Sequence, residues 1–174
     1  MSTASAPAPS RGDEVDTLVA AWHRERPDLD VSPLEVLSRV TRLARHLDRA
    51  RGSAFATHAL EVWEFDVLAA LRRAGAPYEL SPGRLLQQTL VTSGTMTNRI
   101  DRLEAQGLVT RRTDPADRRG VLVGLTGAGR SKVDAALADL LTSEQQFLAA
   151  LDPEQRAQLA ALLRTIVSPF DQAT

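Results

Sequence analysis

Residues 81–126 read SPGRLLQQTLVTSGTMTNRIDRLEAQGLVTRRTDPADRRGVLVGLT, and the fold is decided there. Ser81 before Pro82 is a helix start, because a serine side chain caps the first free amides and proline's fixed φ suits the first helical position. That helix runs through Leu86. Val91-Thr92-Ser93-Gly94 then turns the chain into a second helix over about 95–106, and Gly107 supplies a left-handed stop. Two short helices joined by a tight turn make a helix-turn-helix. Met96, Ile100 and Leu103 fall on one face of the second helix, leaving Thr95, Thr97, Asn98 and Arg102 near the other. Residues 108–112 and 120–125 are short β-rich runs around a charged, proline-containing tip. They predict a hairpin, or wing.

Working outward, a helix from about Thr57 or Leu60 to Arg73 precedes this unit and closes at Ala74-Gly75-Ala76-Pro77. Before it, Leu34, Val36, Leu37, Val40, Leu43, Ala44 and Leu47 form a wide apolar stripe on a long helix, with Ser32 and Pro33 at its start. That is more apolar surface than a lone surface helix needs. Val15, Leu18, Val19 and Trp22 mark a short first helix that stops at Arg26-Pro27. After the wing, Thr126 caps a long helix to about Leu148, and Asp152-Pro153-Glu154 opens a last one that ends near Val167-Ser168-Pro169. All nine prolines then lie in the tail, at helix boundaries or in the wing tip, so none breaks an expected helix. Residues 1–12 are small and rich in proline and serine, which reads as a disordered tail.

Composition narrows the classes of function. Hydrophobic residues at 43% and charged residues at 25% describe a globular chain with a real core. Without cysteine, disulfides, Cys-based zinc sites and thiol nucleophiles are excluded. A net charge of −1 argues against coating nucleic acid through bulk positive charge, although a regulator needs only a local cluster of arginines. Few aromatics argue against single-strand binding by base stacking. Apolar runs break well short of the ~20 residues of a membrane span, and no apolar signal core opens the chain. The expectation is a cytoplasmic protein with no membrane partner.

The run Thr97-Asn98-Arg99-Ile100-Asp101-Arg102-Leu103-Glu104-Ala105-Gln106-Gly107-Leu108-Val109 resembles the recognition helix and wing start of the MarR family of bacterial regulators. Asp114-Pro115-Ala116-Asp117-Arg118-Arg119 with Val123-Gly124-Leu125-Thr126 is similar to that family's wing signature. The resemblance implies a mainly α fold with a small β-hairpin wing, a winged helix-turn-helix and an intertwined helical dimerisation region. It divides the chain into the tail and a single domain at 13–174: an extra helix at about 13–26, dimerisation helices at about 33–56 and 127–168, and the winged helix-turn-helix at about 57–126. It also implies a homodimer that reads pseudo-palindromic double-stranded DNA. Short polar side chains suit close approach to bases and phosphates, while arginine reaches either. The expected DNA-binding residues are Ser93, Thr95, Thr97, Asn98, Arg102, Arg118 and Arg119, with Arg119 oriented by Asp117 into the minor groove.

Within that family, the resemblance extends to the urate-responsive members, which carry an extra N-terminal helix. Their ligand residues fall here on Trp22, Asp66, Arg99 and Arg111. Asp66 sits between Phe65 and Val67-Leu68 on an otherwise apolar helix, so burial would require a partner, either Arg99 or Arg111. A planar anion would compete with Asp66 for that arginine, Trp22 would stack on the ring, and the recognition helix would shift. The expected effector is urate or a similar small anion, with tricarboxylates or no effector as alternatives, and the expected role is repression.

No cofactor, metal or catalytic residue is expected. Gly124-Leu125-Thr126-Gly127-Ala128-Gly129-Arg130-Ser131 has the glycine spacing of a phosphate-binding loop, but Arg130 stands where lysine is needed and no second strand ends in a metal-binding aspartate. His23, His46 and His58 lack a second histidine at ligand spacing.

Overall fold

The computed structural model describes residues 12–89, 93–117 and 119–171. The predicted tail therefore lies outside the described residues apart from Gly12. The chain divides into two compact units, with the boundary between Arg49 and Ala50.

In the N-terminal unit, α1 (Glu14–Glu25) begins where expected. The Asp13 carboxylate accepts from the amides of Val15 and Asp16 at 2.8 and 3.1 Å, and the Asp16 carboxylate accepts from the Asp13 amide. This reciprocal capping leaves few free amides in the first turn. Val15 and Val19 are buried with Val31, with Leu34 packed against them. Leu18 and Trp22, on the same predicted stripe, stay 41% and 47% exposed. The second helix, α2 (Ser32–Ala56), crosses the unit boundary. In its N-terminal part Arg39 bonds Asp13 and Asp16, and Arg42 bonds Glu14, so the charges of this stretch tie α2 to the start of α1.

The second unit is built around α3 (Val62–Arg73), which buries Glu64, Phe65 and residues 67–71. It is followed by β1 (Glu79–Leu80), α4 (Pro82–Thr89), α5 (Ser93–Ala105), β2 (Val109–Thr113), β3 (Val121–Leu125), α6 (Gly127–Phe147) and α7 (Pro153–Asp171). Phe55 stacks on Phe65 with ring centroids 4.0 Å apart. One continuous core joins these rings to Leu68, Leu71, Leu85, Met96, Ile100, Leu103, Val109, Val123, Val133, Ala136 and Leu140. Helix-turn-helix, wing and the first half of α6 thus share a single interior.

Three features differ from the sequence expectation. The wing hairpin pairs in register from Val109↔Leu125 to Thr113↔Val121, but a third antiparallel strand joins it: β1 pairs Leu80 with Val123, giving the order β1-β3-β2. The helix expected from about Thr57 or Leu60 starts at Val62, because α2 continues to Ala56 and residues 57–61 turn the chain, with Ala59 at φ 49°. Pro169 does not end α7, which continues to Asp171.

Candidate nucleic-acid interface

The outer surface of α5 is set by its inner one. Met96, Ile100 and Leu103 are buried at helical spacing, and Gly107, at φ 71°, closes the helix. Thr95, Thr97, Asn98 and Arg102 are consequently exposed on the side away from the core, as the sequence expects. Ser93 opens α5, but its side chain is outside the described set, as are residues 90–92 of the turn. At the wing tip the Asp117 carboxylate accepts from the Arg119 amide at 2.9 Å, and the Gly120 amide donates to the Asp117 carbonyl at 2.8 Å. A Cβ at Gly120 would stand 3.1 Å from that carbonyl, a tight contact that glycine avoids. Asp117 thus shapes the backbone that carries Arg119, whose side chain is exposed; Arg118 lies outside the described residues.

Carboxylates hold the arginines of this surface. Arg111, on β2, bonds Glu104 and Asp101 of α5 through its guanidinium, and its own amide donates to Glu104 at 3.1 Å. Partial burial opposes its charge, but the two carboxylates outweigh that and raise its pKa. Arg102 bonds Glu61, the residue before α3, with its guanidinium 4.7 Å from the Trp63 ring. Arg99 lies 5.3 Å from the same ring. The indole N–H of Trp63 donates to Glu61 at 2.6 Å, and this bond, with that from Arg102, holds the Glu61 carboxyl below the usual carboxylate range.

The ligand residues named from sequence are paired differently than expected. Asp66 bonds Arg51 at 3.2 Å, not Arg99 or Arg111, and its side chain is 43% exposed. The buried carboxylate of α3 is Glu64, which accepts from the Gln106 side chain at 2.7 Å and from the Glu61 amide at 2.9 Å. About 200° of helical phase separates the two acids: Phe65 and Leu68 turn inward with Glu64, whereas Asp66 sits at the edge. Arg51 lies near the end of α2 with its guanidinium 5.6 Å over Phe55. Its partner on the next helix gave no local signal. Trp22 lies in the N-terminal unit, on α1.

The glycine-rich segment 124–131 spends its amides on capping. The Gly129 amide donates to the Thr126 hydroxyl at 2.9 Å, and Arg130 donates to the Thr126 carbonyl at 2.8 Å. Among the described residues no group of three or more acidic or histidine side chains is placed to hold a metal ion, and no helix is long and apolar enough to cross a membrane.

A match to the MarR family spans residues 60–120, from just before α3 to the end of the wing tip. The chain is 37% identical over 150 residues to the HTH-type transcriptional regulator PecS of Dickeya dadantii, covering 86% of this chain and 90% of PecS. The chain belongs to the MarR family. Among solved MarR-type structures, that of Bordetella bronchiseptica BpsR, described as regulated in its DNA binding by 6-hydroxynicotinic acid, is 31% identical, with a TM-score of 0.57 over 73% of this chain and 91% of BpsR. AbsC of Streptomyces coelicolor reaches a TM-score of 0.72 over 83% of this chain and 97% of AbsC at 20% identity, a likeness of fold. The MarR-type winged helix is therefore shown by sequence and by structure, and this MarR protein is a transcriptional regulator.

Proposed function

We propose that the protein binds pseudo-palindromic operator DNA as a homodimer, represses from it, and is released by a small planar anion such as urate. The carrying observation is Arg111, which joins the wing to the recognition helix through Asp101 and Glu104. An anion that took this guanidinium would compete with two carboxylates of α5 itself, so occupancy and helix position are linked through one group. Such a ligand shifts the equilibrium only by its preference for the DNA-incompetent state. Asp66 and Arg99 complete the proposed anion-responsive set in this unit. Asp66 acts from its pair with Arg51, and Arg99 through Trp63 on the ring it shares with Arg102. The relative BpsR, regulated by an aromatic acid, supports an effector of this chemistry.

The DNA surface consists of Ser93, Thr95, Thr97, Asn98, Arg102, Arg118 and Arg119. Dimerisation is supported by apolar side chains that the single chain leaves exposed: Val36, Leu37 and Val40 on α2, and Leu162, Ile166 and Phe170 on α7. Contiguous patches of this kind mark interaction surfaces.

The test is a fluorescence-anisotropy titration of duplexes from the intergenic regions beside the gene, with and without urate. Binding with one dimer per site, weakened at least tenfold by saturating urate, is expected. Arg111→Ala should abolish the urate effect. Unchanged affinity at saturating urate removes urate as effector, and failure to select any adjacent duplex over random DNA removes local operator binding. Quenching of Trp22 emission by urate in a Trp63→Phe chain reports ring contact separately.

A further inference from the structure

We infer that Glu61 sets DNA affinity by holding Arg102 in the DNA-free protein, so that a phosphate must displace its carboxylate before Arg102 serves the duplex. This rests on the DNA-binding reading of α5. Arg102 engages α3 twice, with an N–H edge on Glu61 and a face toward the Trp63 ring. A phosphate oxygen offers the same charge-assisted acceptor as the carboxylate, so both cannot own that edge. Both side chains of the pair are 56% exposed, which lets a phosphate reach it. Exposed pairs are cheap to open. Release does not strand Glu61 either: the Trp63 indole N–H still donates to it, and its position at the start of α3 favours negative charge. The contact has the properties of an exchangeable hold and not of a structural strut. Contrast Glu64, three residues on: buried, twice bonded and closed to solvent.

Glu61 is thus a positioning residue acting through Arg102. Phosphate competition needs no operator sequence, so a random-sequence duplex at low salt serves as the probe. Wild type, Glu61→Gln, Arg102→Ala and the double variant are titrated at several salt concentrations, with thermal melts to confirm folding. Glu61→Gln should bind about three- to fivefold more tightly, the scale of one exposed ion pair. Arg102→Ala should bind more weakly, with the salt slope reduced by about one. In the Arg102→Ala background the Glu61→Gln gain should vanish. A gain of equal size in that background would mean simple repulsion between Glu61 and DNA, and no gain in wild type would mean no hold; either overturns the inference. Wild-type affinity and salt slope in Arg102→Ala would remove Arg102 from the interface and the inference with it. Operator selectivity, measured against the same random duplex, stands or falls independently.

Discussion

Arg111 and Arg112 are neighbours on β2, so their side chains leave opposite faces of the sheet. Arg111 finds the carboxylates of α5, while Arg112 reaches across β3 to Glu79 on β1. Beside Glu79 on β3 stands Gly124, where a Cβ would come 3.3 Å from the Glu79 side chain, so glycine leaves that side chain room. Glu79 is only 17% exposed, and the Arg112 guanidinium holds its carboxyl below the usual range. A depressed carboxylate contributes stability that is present above the unfolded-state pKa of about 4.3 and lost as pH falls through the folded one. Replacing Glu79 by Gln should therefore lower stability by about 1 kcal/mol at pH 7 and flatten the loss of stability below about pH 4.5. Urea melts across that range check both. At this scale the sequence picked out Arg111 by resemblance but not its partners. Asp101 and Glu104 are adjacent to it only after β2 folds back on α5.

Elements were more legible than contacts. Ser81 and Thr126 each announce a helix start with a local chemical signal, and each lies at one. β1 carries no such signal, because two residues show no alternation and their partner lies more than forty residues away on β3. The junction of β3 and α6 illustrates how tightly an element start can be fixed. The Thr126 hydroxyl lies 3.0 Å from the Leu108 carbonyl as donor and accepts from Gly129, and a Cβ at Gly129 would come 2.1 Å from that carbonyl. Gly129→Ala must push the helix off β2, and should cost about 2–3 kcal/mol, while Thr126→Ala should cost about 1. For a chain of this length the former corresponds to a fall in Tm of roughly 4–12 °C. Equal melting temperatures for Gly129→Ala and wild type would contradict this packing.

At the scale of the molecule, α7 has no buried residue although Leu162, Ile166 and Phe170 are 64%, 45% and 71% exposed. Sedimentation equilibrium should therefore give twice the chain's 18.9 kDa. Leu162→Glu with Ile166→Glu should yield a monomer that loses DNA binding by a hundredfold or more, on the order of the second half-site's contribution. A folded monomeric wild type, or a monomeric variant with undiminished affinity, would refute the dimer. With net charge −1, DNA affinity depends on a few local arginines. It should fall steeply between low and physiological salt.

The sequence by itself determined the family, the order of helices, the wing and the exposed face of the recognition helix. Those follow from periods, caps and stops, which act over a few residues. Only the tertiary structure decided which carboxylate each arginine meets: Arg51 with Asp66, Arg102 with Glu61, Arg111 with Asp101 and Glu104, Arg112 with Glu79. Charges carry no address in the chain, and a long flexible side chain takes whichever opposite charge packing brings within reach. The same packing made Glu64, and not Asp66, the buried acid of α3: two residues, about 200° of helical phase, separate them.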